Sequence, residues 1–288
     1  MKVQASKSIL RIKNPSKKEF SEIAKNFQPF IIEDVVQHWD AYKNWSDDYL
    51  IEKCGDNLVP VRFFQKNFWN DYKNFAYERS YQPHKEIQLK EYINNGHNVE
   101  CYLNEAVFEE RFPQIVGDVN YPEYFNGKAF VRLWYGLSSK TFSSSSSLHF
   151  DAEHNIFAQI RGRKRILLYP PIDYLSFYPP LEDPSGALYG SKVNPDSLDL
   201  ELFPKFPWQE RIEIVLQPGE ILYLPPFWWH HITAVDDNIS LSFWHYVKLQ
   251  DFWWQKKMLS VFFHTAPHYL YHSISAGNFS GLGFFNMS

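Results

Sequence analysis

Hydrophobic and polar positions in the first part of the chain follow helical and strand periods in turn. Apolar residues recur at helical spacing from Phe20 to Phe27, and the preceding Asn14-Pro15 is typical of a helix start, a capping side chain before a proline in the first turn. A buried strand is predicted from Phe30 to Val36, and Ser46 predicts the N-cap of a short helix that ends at Gly55. We therefore predict mixed α/β elements over residues 1–127, packed on the rest of the protein.

From Lys128 onward the pattern changes to many short strands separated by glycine and proline. Turns are clearest at Arg161-Gly162-Arg163 and Gln217-Pro218-Gly219. Residues 128–250 therefore predict a jelly-roll core, the double-stranded β-helix of cupins, in a mainly β protein. Residues 170–207 are rich in proline and lack a clear period, so we interpret them as a long ordered insertion between two strands. The predicted strands are Ala129–Tyr135, Leu148–Asp151, Ile156–Ile160, Arg165–Tyr169, Arg211–Leu216 and Glu220–Leu224.

The helical period returns after Val247, and residues 251–288 predict a C-terminal helical segment. Aromatic residues are frequent there, from Trp253 and Trp254 to Phe284 and Phe285. Helices with this much apolar surface need a partner, and two arrangements fit the sequence equally well. The segment either folds back onto the barrel or forms a homodimer with a second copy of the chain.

The composition narrows the class of protein without changing this picture. The 288 residues are 44% hydrophobic and 18% aromatic, enough for a sizeable core with broad sheet faces. The formal net charge of −4 supplies no overall basic field, so a nucleic-acid partner is not favoured. Cys54 and Cys101 form no CxxC motif, which indicates reduced thiols. Since the sequence has neither a signal-peptide pattern nor a membrane-spanning run, we expect a cytoplasmic protein with no membrane partner.

The most informative short motif is His149-Phe150-Asp151. Side chains alternate between the two faces of a strand, so His149 and Asp151 would point the same way and Phe150 the other. Taken alone, the two polar residues are most simply interpreted as a hydrogen-bonded pair on a sheet surface. A third ligand from a distant strand would instead complete two imidazoles and one carboxylate on one side of a metal, an arrangement typical of non-haem Fe(II) oxygenases.

Two adjacent histidines, His230 and His231, follow the Pro218-Gly219 turn and another strand, and either can supply the third ligand. They face opposite sides of any strand, so only one of them binds, and alternation alone does not decide which. His154 and His245 are weaker candidates, because solvent exposure or a structural hydrogen bond is the commoner role for such residues.

Lys164 lies in a basic turn from Arg161 to Arg165, for which a solvated surface is the plainest interpretation. If Lys164 begins the next strand, however, it shares a face with Ile166 and Leu168 and points inward. An inward lysine needs a buried carboxylate as its partner, and the C5 carboxylate of 2-oxoglutarate is such a group.

Together these motifs make the chain resemble the JmjC/cupin-like family of Fe(II)- and 2-oxoglutarate-dependent oxygenases. The resemblance covers most of the chain and is strongest to the branch that contains the asparaginyl hydroxylase of hypoxia-inducible factor. Each motif is weak alone, but the set is highly specific. The motifs are the region from Trp39 to Asp56, Tyr102-Leu-Asn-Glu, His149-Phe-Asp, the run from Asn155 to Lys164, and the run from Pro218-Gly-Glu to Trp229-His230.

The resemblance also implies roles for individual residues. It implies that His149, Asp151 and His230 are the iron ligands, because the ligating histidine of the family directly follows the tryptophan pair. It further implies that Lys164, Tyr102 and Asn155 contact 2-oxoglutarate. Two positions depart from the family: Ser146 stands where a threonine is common and keeps its hydroxyl, and Ser242 stands where the closest relatives have an asparagine near the cosubstrate.

From this resemblance we expect an enzyme that uses Fe(II), 2-oxoglutarate and O2 to hydroxylate a C–H bond, with succinate and CO2 as coproducts. The acidic balance and the insertion at residues 170–207 favour a protein or peptide substrate. Two alternatives keep the same chemistry on a tRNA base or on a small molecule. A third is a non-catalytic, cupin-like metal-binding module. The sequence does not identify the substrate or the oxidised atom.

Overall fold

The computed structural model describes residues 8–64, 84–138, 145–181, 189–247, 256 and 258–265. Within these ranges the chain forms two β-sheets with short helices around them. The strands are β1 (Leu10–Lys13), β2 (Phe30–Glu33), β3 (Leu58–Phe63), β4 (Lys85–Gln88), β5 (Cys101–Val107), β6 (Phe130–Gly136), β7 (His154–Arg161), β8 (Lys164–Tyr169), β9 (Ile212–Leu216), β10 (Ile221–Leu224), β11 (Trp229–Ala234) and β12 (Asn238–His245). The α-helices are α1 (Lys17–Ala24), α2 (Asp40–Asn44), α3 (Asp47–Cys54), α4 (Leu89–Asn95) and α5 (Phe108–Arg111), and 3-10 turns cover Val36–His38, Gly96–Asn98, Pro113–Asp118, Tyr174–Phe177 and Trp208–Glu210.

The larger sheet has the strand order β1-β2-β10-β7-β12-β6-β5-β3-β4, and the smaller sheet has the order β11-β8-β9. All strand pairs are antiparallel except β1 with β2. Between β7 and β12 the chain passes from one sheet to the other four times, at β7–β8, β9–β10, β10–β11 and β11–β12, which is the connectivity of a jelly roll. The predicted mainly β, cupin-like fold is confirmed. The N-terminal strands are hydrogen-bonded into the larger sheet and extend it on both sides.

Three hydrophobic clusters hold these layers together. The first lies on the outer face of the larger sheet, beneath the N-terminal helices, and includes Phe20, Trp39 and Tyr92. The second lies beneath residues 170–207. The third fills the space between the two sheets with Ile31, Phe157, Ile166, Leu168, Ile214, Leu216, Leu222, Leu224 and Trp228. Since Ile166 and Leu168 belong to this inner cluster, their face of β8 points into the barrel.

The turn between β7 and β8 carries the chain from the larger sheet to the smaller one. Gly162 has φ +64° there, and an added Cβ would lie 1.9 Å from the backbone oxygen of Asp237. Only glycine fits both the left-handed backbone and this close approach. The turn predicted at Arg161-Gly162-Arg163 is therefore confirmed.

The first helix begins two residues later than its sequence predicted. Ser16 caps α1: its hydroxyl accepts from the backbone N–H of Glu19 at 3.3 Å, and the Glu19 carboxylate accepts from the backbone N–H of Ser16 at 2.8 Å. This reciprocal capping box satisfies two backbone donors, more than Asn14 could do alone. Asn14 instead has φ +35° and donates its N–H to the carbonyl of Glu33. The helix predicted after Ser46 is confirmed at Asp47–Cys54.

Residues 258–265 are helical and pack beneath the insertion. Met258, Val261 and Phe262 are buried in the second cluster together with Phe150 and Trp229. This part of the C-terminal segment therefore folds back onto the barrel. Most of residues 251–288, including Trp253, Trp254, Phe284 and Phe285, lies outside the described residues, so the homodimer stays a prediction. No helix in the described ranges has the length and apolar character needed to cross a membrane.

Candidate metal centre

The segment that carries His149 and Asp151 is not the regular strand that its sequence predicted. Residues 145–151 make isolated β-bridges on two sides. On one side His149 and His230 exchange backbone hydrogen bonds of 3.0 and 2.6 Å. On the other side Phe150 donates to the Tyr189 carbonyl at 3.0 Å, and Ser191 donates to the Leu148 carbonyl at 2.9 Å. The segment thus lies between β11 and residues 189–191 of the insertion, and these two distant parts of the chain set its conformation.

His149, Asp151 and His230 converge on one point. One ligand atom from each lies within 4.8 Å of the others, and no other group of three such residues is found among the described positions. The two Asp151 oxygens lie 4.0 Å from His149 Nε2 and 3.8 Å from His230 Nε2. His230 is 3% exposed and the other two side chains are about 20% exposed, so the group is open on one side. Two imidazoles and one carboxylate with an open side are the donor set of a non-haem iron site.

Backbone carbonyls set the orientation of both imidazoles. His149 Nδ1 lies 2.8 Å from the carbonyl oxygen of Ser147, and His230 Nδ1 lies 3.0 Å from that of Trp228. A carbonyl oxygen only accepts, so each Nδ1 carries the proton and donates it. In the neutral imidazole each Nε2 then has the lone pair, and it lies on the Asp151 side, where it is available to a metal.

The adjacent histidines of β11 point to opposite faces of the strand. His230 points toward His149 and Asp151, whereas His231 Nε2 lies 2.8 Å from an Asp196 carboxylate oxygen in the insertion. Asp196 also accepts from Arg165 Nη1 at 2.6 Å. Burial alone would raise the pKa of Asp196, but the hydrogen bonds with His231 and Arg165 hold it well below its usual range. His231 thus connects the insertion to β11, on the face away from the candidate metal site.

A cavity of about 250 Å³ extends from the three ligands into the barrel. It lies between the two sheets, and its walls come from both of them. All of the site residues predicted from sequence line this one cavity, namely His149, Asp151, His230, Lys164, Tyr102, Ser146, Asn155 and Ser242.

Lys164 is the buried cation of this cavity. It is 2% exposed, its Nζ lies 3.5 Å from the Tyr102 hydroxyl, and the same atom lies 5.0 Å from the centre of the Phe157 ring. Within the described ranges no carboxylate forms an ion pair with it. Burial accordingly lowers the pKa of Lys164 to about 7. An anionic ligand that enters the cavity would supply the missing counter-charge.

Ser146, Asn155 and Ser242, the three remaining predicted residues of the cavity, differ in their hydrogen bonds. The Ser146 hydroxyl accepts from the backbone N–H of Ile232 at 2.9 Å, and the Ser242 hydroxyl accepts from Trp134 Nε1 at 3.0 Å. Asn155 Oδ1 is buried and has no hydrogen-bond partner in the protein. A buried amide oxygen in this state is costly unless a ligand or water pairs with it, so Asn155 fits a polar ligand in the cavity.

Nine other residues line the same cavity that sequence reasoning did not identify as site residues, among them Glu105, Trp134, Tyr189 and Trp244. Trp244 lies two positions after Ser242 on β12, so two-residue alternation was a usable signal for it. Trp134 lies on the neighbouring strand β6. Glu105 and Tyr189 lie on an irregular part of β5 and in the insertion, where alternation has no predictive value.

His154 and His245 do not reach the cavity. They are register partners on β7 and β12, on the other face of the larger sheet, where the His154 ring stacks on Phe125 and the His245 ring lies tilted against it. Burial lowers the pKa of His154 to about 3 and that of His245 to about 4, so both are neutral at pH 7. His154 Nδ1 lies 2.9 Å from the Tyr223 hydroxyl. These two histidines pack with aromatic residues and are not metal ligands.

Comparison with known proteins identifies one family over most of the chain. The model of the family described as the cupin-like domain matches residues 16–251. Jumonji C domain-containing protein 5 of Drosophila melanogaster is 27% identical over 84% of this chain and 61% of its own length. Lysine-specific demethylase 8 of Xenopus tropicalis is 30% identical over 75% of this chain and 48% of its own length. The tRNA wybutosine-synthesizing protein 5 of Danio rerio is 27% identical over 73% of this chain and 67% of its own length.

The chain thus spans about half to three-fifths of the length of the first two relatives. The name of the Drosophila melanogaster relative agrees with the resemblance to JmjC proteins. The narrower likeness to the hypoxia-inducible factor hydroxylase branch stays a prediction.

Proposed function

Since the chain belongs to the cupin-like family and is related to JmjC-domain proteins, we propose that it is an Fe(II)- and 2-oxoglutarate-dependent oxygenase. The proposed reaction hydroxylates a C–H bond on a protein or peptide side chain. One observation carries the proposal: a buried lysine with no carboxylate partner among the described residues lies in the same cavity as two histidines and an aspartate at metal-binding distances.

The donor atoms of the cavity fit a divalent metal. His149 Nε2, His230 Nε2 and an Asp151 oxygen would hold it, because both Nδ1 atoms are already engaged by carbonyls. When bound, Fe(II) together with 2-oxoglutarate and O2 supplies the oxidising chemistry that yields succinate, CO2 and a hydroxylated product. The open side of the triad faces the cavity, and its apolar walls limit access of water to the reacting centre.

Lys164 and Tyr102 would bind the distal carboxylate of the cosubstrate. Ala234 is the register partner of Lys164, and Leu168 is that of His230, so Lys164 and His230 lie four positions apart along the paired strands. A dicarboxylate can therefore extend from the metal ligands toward the lysine. Binding restores the charge of Lys164 and pairs it with one carboxylate, while the other carboxylate lies at the metal ligands. Because both ends of the ligand then have a positive partner, a dianion is favoured over a monoanion.

Ser146, Asn155 and Ser242 would orient the rest of the cosubstrate. The Ser146 hydroxyl keeps a proton to donate, since the backbone N–H of Ile232 occupies only one of its lone pairs. The oxygens of 2-oxoglutarate only accept, so Asn155 would contact the cosubstrate through its amide N–H on the opposite wall, and its unpartnered Oδ1 would pair with a donor such as water. The contact of Ser242 with Trp134 makes it a support for the cavity wall as well as a candidate ligand contact.

A tRNA base is the second candidate substrate, because one relative is named as a tRNA-modifying protein. The net charge of −4 does not favour it. The two candidates differ in salt dependence: RNA binding through phosphate contacts weakens steeply as salt rises, whereas a peptide that binds in the cavity responds less.

The direct test is succinate formation from 2-oxoglutarate in the presence of Fe(II) and O2. We expect turnover in the wild type and its loss in His149→Ala. His38→Ala, which removes an exposed imidazole remote from the cavity, is the matched control and should retain turnover. Equal turnover in the wild type and His149→Ala would contradict the proposal. A wild type that binds metal but forms no succinate would indicate the non-catalytic module instead.

A further inference from the structure

A second cavity, the outer cavity, lies on the face of the larger sheet opposite to the metal ligands. Its volume is about 450 Å³, against about 250 Å³ for the metal cavity. Strand β12 contributes to both, because its side chains alternate: Ser242 and Trp244 line the metal cavity, whereas Phe243 and His245 line the outer one. Ligand sites in proteins have volumes of roughly 300–1,000 Å³, so the outer cavity has room for a small molecule.

Aromatic rings form much of the wall of the outer cavity. Tyr121, Phe125 and Phe243 all line it. The rings of Tyr121 and Phe243 meet edge to face with their centres 5.3 Å apart, and the Phe125 ring lies 4.9 Å from the ring of His245. Rings arranged in this way pack well against a further planar aromatic ring. The wall therefore favours an aromatic ligand.

His245 is the buried polar residue of the outer cavity. It is 6% exposed, and its Nε2 has no hydrogen-bond partner among the described residues. His154, its register partner on β7, is also 6% exposed, but its Nδ1 lies 2.9 Å from the Tyr223 hydroxyl. Of these two histidines, the one that lines the cavity is thus the one that lacks a partner. A buried polar atom in this state is costly unless a ligand or water pairs with it.

The charges around the outer cavity balance one another. Its charged lining residues are two lysines and two glutamates, Lys17, Lys128, Glu109 and Glu123. The Lys128 ammonium lies 3.3 Å from the Glu109 carboxylate. His245 is neutral at pH 7, because burial lowers its pKa to about 4. This balance favours an uncharged ligand over an anion or a cation.

The imidazole of His245 narrows the class of ligand further. A neutral imidazole has one nitrogen that donates and one that accepts. A hydroxyl group does both, so it pairs with the buried nitrogen in either tautomer, whereas a carboxylate only accepts and an ammonium only donates. An uncharged aromatic ring that carries a hydroxyl group, which is a phenol, therefore fits the aromatic wall, the charge balance and the unpaired nitrogen together.

We propose that the outer cavity is a second binding site and that its ligand is a phenol. The ring of the ligand packs against Phe125 and Phe243, and its hydroxyl group forms a hydrogen bond with the imidazole of His245. This site is distinct from the proposed oxygenase site and needs neither metal nor 2-oxoglutarate. The phenol is a free small molecule or the tyrosine side chain of a peptide, because both present the same ring and hydroxyl group.

The test measures the affinities of p-cresol, toluene and 4-methylbenzoate for the full chain at pH 7 by saturation-transfer NMR. The three compounds share a methyl-substituted ring and differ in carrying a hydroxyl group, a hydrogen or a carboxylate. For the wild type we expect p-cresol to bind about ten-fold more tightly than either of the others, the scale of one hydrogen bond to a buried group. Adding Ni(II) and 2-oxoglutarate, which bind in the metal cavity, should leave this affinity unchanged.

Two variants assign the binding to the outer cavity. His245→Phe keeps a ring against Phe125 and removes both nitrogens, so p-cresol and toluene should bind it with similar affinities. Ala129→Trp fills the cavity from its wall and should abolish binding of both compounds. His38→Phe, which replaces an exposed imidazole outside the cavity, is the matched control and should keep the wild-type preference.

A parallel titration with N-acetyltyrosinamide distinguishes the two sources of a phenol. Binding that matches that of p-cresol would support the proposal with a tyrosine side chain as the ligand. Binding of p-cresol alone would support it with a free phenol, since the backbone of the tyrosine derivative would then be excluded.

Equal affinities of p-cresol and toluene for the wild type would overturn the inference. An unchanged preference in His245→Phe, or unchanged binding in Ala129→Trp, would do the same. Loss of p-cresol binding on addition of Ni(II) and 2-oxoglutarate would place the compound in the metal cavity and also overturn it. The comparison of compounds on the wild type is decisive even where a variant does not fold. Absent succinate formation, by contrast, would contradict only the proposed oxygenase function.

Discussion

At the scale of single residues, Lys164 illustrates what burial does to a charge that has no counter-ion. The side chain is 2% exposed, and burial is the cause that lowers its pKa from 10.5 to about 7. The ligand-free protein therefore carries a lysine whose protonated form is disfavoured. That state is costly for the fold, but it prepares the cavity for an anion.

We expect Lys164→Met to change how the stability of the ligand-free protein depends on pH. Between pH 7 and 10.5 the unfolded chain binds more protons than the folded one, so wild-type stability should rise with pH through this window. Lys164→Met lacks this dependence, so its stability advantage should be largest at pH 7 or below and should shrink by at most roughly 1.4 kcal/mol per pH unit above that. Urea unfolding of both proteins at several pH values checks this.

Lys25→Met, which removes an exposed lysine on the surface, is the control for that series and should follow the wild-type curve. Parallel curves for the wild type and Lys164→Met would mean that Lys164 keeps its ordinary pKa. The measurement is made without metal or cosubstrate, because a bound carboxylate would reverse the shift.

Residue types and two-residue alternation were sufficient to predict much of the site. They identified His149, Asp151 and the histidine pair. They also predicted that Lys164 points inward if β8 begins at that residue. The choice of His230 over His231 needed the family resemblance. Glu105 was not predictable, because a bulge inverts the face of a residue and depends on the register with β6, which the β5 sequence alone does not contain.

At the scale of elements, the insertion completes the ligand segment. Residues 189–191 form backbone hydrogen bonds with Leu148 and Phe150 on the side of the segment that β11 does not contact. The rings of Phe177 and Trp229 stack with their centres 4.4 Å apart and hold the insertion against the barrel. The sequence predicted a strand at Leu148–Asp151 because its alternation fits one. It could not reveal that the partners of this segment are β11 and the distant insertion, since such pairing is a property of the whole fold.

Ser191→Ala should loosen this arrangement. The buried Ser191 hydroxyl donates to the Phe177 carbonyl and accepts from the backbone N–H of Val193, and its loss should destabilise the protein by about 1–2 kcal/mol. Because residues 189–191 also fix the His149 segment, metal affinity should fall as well. Urea unfolding and Ni(II) titration measure the two effects. Ser197 is exposed in the same insertion, so Ser197→Ala should change neither the stability nor the Ni(II) affinity. An unaltered Ni(II) affinity in Ser191→Ala would show that the insertion does not set the geometry of the metal site.

The first helix offers a second test at this scale. Ser16→Ala removes half of the capping box and should destabilise the protein by about 1 kcal/mol, whereas Asn14→Ala should not have a capping effect. Ser21→Ala, on the exposed face of α1, is the matched control and should be neutral or slightly stabilising. Thermal unfolding compares the three variants. If Asn14→Ala lowered the stability more than Ser16→Ala, Asn14 would be the N-cap of α1, as the sequence suggested.

At the scale of the whole molecule, the candidate metal site joins two parts of the chain that are far apart in sequence. His149 and Asp151 precede β7, and His230 lies on β11. A metal that binds all three residues binds only the folded barrel, so it must stabilise the fold as a whole.

We therefore expect Ni(II) to raise the melting temperature of the wild type by several degrees, corresponding to about 2.7 kcal/mol when free metal is 100-fold above Kd. The shift should disappear in His149→Ala and on addition of a chelator. His38→Ala should keep it. Thermal unfolding by circular dichroism is sufficient to measure it. An equal shift in His149→Ala would mean that the metal binds elsewhere.

The two neighbouring histidines of β11 have a consequence for folding. If β11 slipped by one residue against β8, His231 would take the place of His230, and the metal would still find an imidazole there. All the remaining side chains of β11, including Trp229, would then face the wrong side of the sheet. Metal present while the chain folds can thus trap a misaligned strand. Refolding in a chelator, with metal added only afterwards, should give a higher yield of active protein than refolding with metal throughout.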